Sequence, residues 1–188
     1  MKHIWVLAVL LFASVLTGEQ VVYLLQDQNQ WIAWGNDRTV KISREKLADG
    51  AAATEFSLSD GAKGWCTPIL KLPKPLTVTA FTALRFKVKA DVSRSYEINL
   101  DTANGAQYAA RFRTVAGEWH ENEVVLKDAP YKRGGKSDRI QEGLLGLTLT
   151  GIQLAYSGNR IIVKDLKIVE LDPDRLHKAR EVSQYMAD

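Results

Sequence analysis

Three consecutive stretches of this chain alternate apolar and polar residues with a period of two. In Leu84–Ala90 (LRFKVKA), Leu84, Phe86 and Val88 share one side while Arg85, Lys87 and Lys89 share the other. In SYEINLD, Tyr96, Ile98 and Leu100 alternate with Glu97, Asn99 and Asp101; in QYAARFR, Tyr108, Ala110 and Phe112 alternate with Gln107, Ala109, Arg111 and Arg113. A two-residue period with one apolar face is the pattern of antiparallel strands packed on a core from one side. The DTANGAQY segment joins two of these strands, and its Asn104-Gly105 pair suits a tight hairpin turn.

The rest of the chain follows the same rhythm of short apolar runs between turn signals. Strands are expected at residues 21–25, 31–34, 39–43, 53–59, 69–72, 83–90, 95–100, 106–113, 120–126, 146–150 and 160–170. Punctuation is expected at Asp49-Gly50, Asp60-Gly61, Pro73-Lys74-Pro75, Ala116-Gly117 and Gly134-Gly135, among others. So many short strands with little helix imply an all-β fold, an antiparallel β-sandwich of the jelly-roll kind. After it, Asp172-Pro173 reads as an N-cap and first-turn proline, opening a short, charged, weakly amphipathic helix.

The first residues, MKHIWVLAVLLFASVLTG, combine a short basic start with an apolar run suited to a signal peptide. Residues 1–19 are therefore expected to be a signal peptide or an uncleaved anchor, residues 20–171 the binding domain, and 172–188 a helical tail. The protein is expected to be secreted or periplasmic, and at a membrane only if the leader stays uncleaved. A net charge of +3 over 188 residues gives no electrostatic case for nucleic acid. The single cysteine, Cys66, excludes an intramolecular disulfide and any cysteine-based metal cluster.

The order of elements resembles a known group. Trp31 to Gly35 gives W-x-x-x-G. Gly50 to Ser59 gives G-x-x-A and a polar strand, and Trp65 follows. Then come TALRFKVKA, YEINL, GEWHENEVVL, GLTLTG and a closing IVKDLKI. This looks like the galactose-binding-like jelly rolls, and within them the complex I intermediate-associated protein domain and the family 11 carbohydrate-binding modules. The resemblance spans roughly residues 22–171. It implies a non-catalytic binding protein, with a polysaccharide or cell-envelope glycan as ligand. It also implies an alternative, an assembly factor that meets an envelope protein through the C-terminal helix or the basic loop APYKRGGKSDR. The tryptophan before the EVVL strand is structural in that group, so Trp119 is expected in the core.

Candidate binding residues follow from sugar chemistry, which needs an exposed ring beside groups that bond hydroxyls. Arg85, Glu97, Asn99, Gln107 and Arg111 lie on the polar sides of the middle strands. The same residues also suit a solvated face with cross-strand ion pairs. Trp65, Tyr131 and Tyr156 sit in loop-like segments, where exposed aromatics can grip a glycan end. The resemblance further implies a structural Ca2+ held by Asp165 on the last strand, with Asp27 standing in for a first-strand glutamate; no cofactor is required. Catalysis is not expected. His120 lies among Glu118, Glu121 and Glu123, but no nucleophile motif, metal-spaced histidines or phosphate loop accompanies them.

Overall fold

The computed structural model describes residues 20–25, 31–35, 40–58, 66–135, 143–150 and 160–185. Two antiparallel sheets of six strands each stack face to face. The first, sheet A, holds β1 (Gln20–Leu24), β3 (Val40–Lys46), β4 (Ala52–Leu58), β6 (Thr82–Ala90), β9 (His120–Val125) and β12 (Arg160–Glu170). Its order is β3-β4-β12-β6-β9, with β1 also pairing β12. Sheet B holds β2 (Trp31–Gly35), β5 (Cys66–Leu76), β7 (Arg94–Thr102), β8 (Gln107–Thr114), β10 (Tyr131–Arg133) and β11 (Leu144–Thr150), in the order β10-β8-β7-β11-β5-β2.

The alternation settles which side of each strand faces the core. Leu84, Phe86 and Val88 from β6 are buried, as are Tyr96, Ile98 and Leu100 from β7 and Tyr108 and Phe112 from β8. Aromatic contacts bridge the sheets. Phe86 meets Phe112 edge-on at 5.1 Å between centroids, and Trp31 on β2 meets Phe56 on β4 at 5.0 Å. Each buried ring of this size removes enough apolar surface from water to contribute about 2–3 kcal/mol. The β7–β8 hairpin turns where Asn104-Gly105 predicts. Gly105 has φ +78, which favours glycine, and the Asn104 Oδ1 accepts from the Ala106 N–H at 2.9 Å.

β12 serves two partners in turn. Its first half pairs β4 and its second half pairs β1, and the register against β6 shifts between Lys164 and Lys167. Asp165 sits in that bulge at φ +56, the one non-glycine residue with positive φ among the described residues. The bulge lets the strand change direction between neighbours.

Three features depart from the sequence reading. Pro73-Lys74-Pro75 lies within β5 rather than in a turn. The prolines are tolerated because β2 pairs β5 only up to Leu70, and the β11 register jumps from Lys71 to Leu76 across them. The Tyr131–Arg133 stretch, expected as loop, forms the short edge strand β10. Trp119, expected in the core, is 37% exposed on the outer side of sheet A. It lies beyond the end of β9, and its ring stacks on the Lys164 ammonium at 4.6 Å.

The helix α1 (Pro173–Tyr185) begins as predicted, with the Asp172 Oδ1 accepting from the Arg175 N–H at 2.8 Å. Leu176 and Ala179 bury against Ala83, Val125, Val169 and Leu171, so the helix covers one end of sheet A's outer face. Arg180 pairs with Asp128 at 2.7 Å. The apolar side of the helix is thus used inside the domain. No helix among the described residues is long and apolar enough to cross a membrane.

Gly146 on β11 tests the close approach of neighbouring strands. A Cβ there would collide with the backbone carbonyl oxygen of Leu70, which cannot move without disturbing β5. Gly146→Ala is expected to destabilise the fold by about 2–3 kcal/mol, read as a lower urea midpoint at unchanged slope. An unchanged midpoint would show that β5 and β11 have room to separate.

Candidate functional site

The outward face of sheet B carries the predicted polar residues together with an aromatic that the sequence reading left unassigned. On the edge strand β2, Trp31 and Ala33 face in, so Ile32 and Trp34 face out. Trp34 is 54% exposed and Ile32 46%. Ile69 on β5 is the register partner of Ile32, which extends the apolar surface to the next strand.

Across β11 lies a polar strip on β7 and β8. Glu97, Asn99 and Asp101 are outward on β7, opposite Arg111, Ala109 and Gln107 on β8. Thr148 on β11 is level with Asn99. Two hydrogen-bonded chains connect these groups. In one, Lys132 from β10 donates to Glu97 and, at 3.0 Å, to Asn99 Oδ1, while Arg111 Nε stands 3.4 Å from Glu97. In the other, Asp101 accepts from Gln107 at 2.6 Å and from Thr148 at 2.7 Å, and Gln107 accepts from Arg133 at 2.7 Å. Asn99 and Thr148 are as buried as core residues although they point outward, so the strip is recessed between longer side chains. The strip and Trp34 are separated by a few strands. Four inter-strand spacings from β2 to β8 amount to about 19 Å.

Burial pushes the Glu97 carboxyl up, but the hydrogen bonds and charges of Lys132 and Arg111 outweigh it and hold it below the usual glutamate range. An ionised acceptor flanked by amide, hydroxyl and guanidinium groups supplies both donors and acceptors. That combination bonds hydroxyl-rich ligands.

The other predicted residues lie elsewhere. Arg85 belongs to sheet A and is buried, its Nε donating to Glu123 at 2.7 Å, with Arg175 of α1 on the same carboxylate at 3.2 Å. It shares the Glu123 carboxylate with the helix residue Arg175 and is not part of the strip. Tyr131 is exposed at the edge of sheet B, but its ring leans on buried Tyr108 at 5.9 Å and its hydroxyl donates to the Gly134 carbonyl. Its neighbour Lys132 points the opposite way, onto the strip. Trp65, Tyr156 and Asp27 lie outside the described residues. Asp165 opens on sheet A, where Lys87 Nζ is 3.7 Å from its carboxylate. Among the described residues, no group of three His, Cys, Asp or Glu side chains could hold a metal ion. His120 Nε2 accepts from the Val115 N–H at 3.2 Å, a bond that ties the end of β9 to the preceding turn.

No protein-family model matches the chain, and no curated protein sequence matches it. Solved structures do. A family 11 carbohydrate-binding module of a cellulosomal cellulase of Clostridium thermocellum superposes with a TM-score of 0.59 at 12% identity, covering 83% of this chain and 97% of the module. A family 29 carbohydrate-binding module gives 0.50 at 14% identity, covering 84% and 95%. The chain has the jelly-roll fold of these carbohydrate-binding modules. An exo-β-agarase also matches, with a TM-score of 0.62 at 12% identity; there this chain covers a quarter of the enzyme, 25%, with 82% of itself. The jelly roll therefore corresponds to one part of that enzyme.

The Glu97 cluster makes stability pH-dependent in a defined direction. A carboxyl held below its unfolded value adds stability above that value, about pH 4.3, and loses it as pH falls through the folded value. The urea midpoint is expected to fall on acidification below about pH 4.3, and Glu97→Gln is expected to flatten part of that fall. Parallel curves for the two proteins would remove Glu97 from the balance.

Proposed function

We propose that this protein is a non-catalytic glycan-binding protein of the carbohydrate-binding-module kind, working outside the cytoplasm. Its ligand lies across the outward face of sheet B. The reading is carried by one juxtaposition: Trp34, exposed beside Ile32 and Ile69, shares a face with the recessed strip of Glu97, Asn99, Asp101, Gln107 and Thr148. A pyranose presents C–H groups on its faces and hydroxyls at its rim. The indole takes the apolar face and the strip takes the rim. The strip residues are already fixed by their mutual hydrogen bonds, so little side-chain freedom remains to be lost on binding.

Two further observations support this reading. The carbohydrate-binding modules are matched almost end to end, and one family 11 structure was solved with a β-1,3-1,4-mixed-linked tetrasaccharide. The leader-like start at residues 1–19 fits a protein that meets polysaccharide outside the cytoplasm. A ligand reaching from β2 to the strip is several sugar rings long, so a polymer or oligosaccharide suits the face better than a monosaccharide.

Affinity electrophoresis against mixed-linkage glucan, mannan, agarose and polygalacturonate tests the reading. Retardation is expected on at least one polymer. Trp34→Ala is expected to weaken it about tenfold, near 1.4 kcal/mol, with no change in melting temperature. Trp119→Ala, on the opposite sheet, is expected to leave it intact. Absence of retardation on every polymer, or a loss caused by Trp119→Ala and not by Trp34→Ala, rejects this assignment.

A further inference from the structure

We infer that the glycan held by this face is acidic, carrying carboxylate or sulfate groups; the inference rests on the glycan-binding reading above. The charges on the described outward residues of sheet B are unequal. Lys71 on β5, Arg111 and Arg113 on β8, and Lys132 and Arg133 on β10 are cations, whereas Glu97 and Asp101 are the acids. Position sharpens the imbalance. The Glu97 side chain is 18% exposed and lies under Lys132 and Arg111, whereas the Arg111 side chain is 81% exposed. Asp101 is engaged by the neutral Gln107 and Thr148. Arg133 spends a guanidinium bond on the neutral amide of Gln107, which leaves its charge uncompensated by that contact. The acids are recessed and occupied, whereas Arg111 and Arg113 are exposed.

The outer face of sheet A is built differently. Arg85 faces Glu123, Lys87 lies between Glu121 and Asp165, and Lys164 faces Asp49. There each of these three cations has a carboxylate beside it. Arg111 and Arg113 stand two residues apart on one side of β8, roughly 7 Å along the strand. Guanidinium groups bind carboxylate and sulfate through paired N–H donors, which gives direction as well as charge. A polymer with a ring on Trp34 and anionic substituents toward β8 and β10 fits both ends of the face.

Polymers that differ only in charge provide the test: polygalacturonate against its methyl-esterified form, and a sulfated galactan against its desulfated form. The protein is expected to bind the charged member of at least one pair about tenfold more tightly, with that preference shrinking as NaCl rises. The double variant Arg111→Gln/Arg113→Gln is expected to lose the preference, and Arg113→Gln alone, at a residue outside the hydrogen-bonded strip, to shrink it while keeping binding to the neutral member and the melting temperature. Trp34→Ala should weaken binding to both members. Lys41→Gln, an exposed change on β3 of sheet A, should alter neither. Equal affinity for charged and neutral members overturns the inference and leaves the glycan reading standing. A loss from Lys41→Gln as large as that from the double variant also overturns it, because diffuse charge would then be the cause. Failure to bind any member of either pair, or any neutral polymer, removes both.

Discussion

The edge-to-face contact of Phe86 with Phe112 joins the two sheets, and the outward chemistry of the molecule depends on it. Phe86 belongs to β6 of sheet A and Phe112 to β8 of sheet B, where it also stacks on Tyr96 at 5.6 Å. Trp31 and Phe56 make the equivalent bridge on the opposite side of the core. Because side chains alternate with a period of two, fixing an inward residue fixes its neighbours outward. A one-residue slip would expose Phe112 and bury Arg111 or Arg113, a cost that the register cannot absorb. The strip of Glu97, Asn99 and Arg111 is thus a consequence of where Tyr96, Ile98 and Phe112 must go.

The two outer faces then part company. Sheet A is covered at one end by α1, through Leu176 and Ala179, and beside that by the Arg85–Glu123–Arg175 ion cluster. Lys87, Arg160 and Lys164 on that sheet also stand beside carboxylates. Sheet B has no such cover among the described residues, and it keeps Trp34, Ile32 and Ile69 at one side of a polar hollow. One fold therefore yields one face partly covered by its own helix and, among the described residues, one face without such cover. Arg85 marks the difference: it has the same place in the alternation as the strip residues, yet it is buried against Glu123, the carboxylate that also takes Arg175 of α1.

Alternation reveals the face of a residue within its strand, but not the sheet to which the strand belongs. That is why Glu97, Asn99, Gln107 and Arg111 came together as expected and Arg85 did not. The strand assignment follows from long-range pairing, which leaves no local mark. Trp31 and Trp34 did carry a readable signal. Three residues apart on a strand they must face opposite ways, so one had to be outside the core. Trp119 lacks any such constraint, because it precedes β9 and belongs to no alternation; Lys164, forty-five positions later, decides its surroundings. The short strand β10 was hidden by its polar composition, since all three of its residues are exposed.

That short strand explains why the polar strip is ordered at all. An exposed edge strand of three residues has few backbone bonds to hold it and is a site for unwanted pairing. Here its side chains add the attachment that the backbone lacks. Lys132 reaches over β8 to Glu97 and Asn99 on β7, and Arg133 bonds Gln107 on β8. These contacts pin the edge, place two cations along it, and hold the Glu97 carboxyl ionised against the opposing effect of burial. The network that protects the edge of the sheet is the same one on which the proposed glycan site is built. Its geometry is therefore maintained by the stability of the domain, before any ligand arrives.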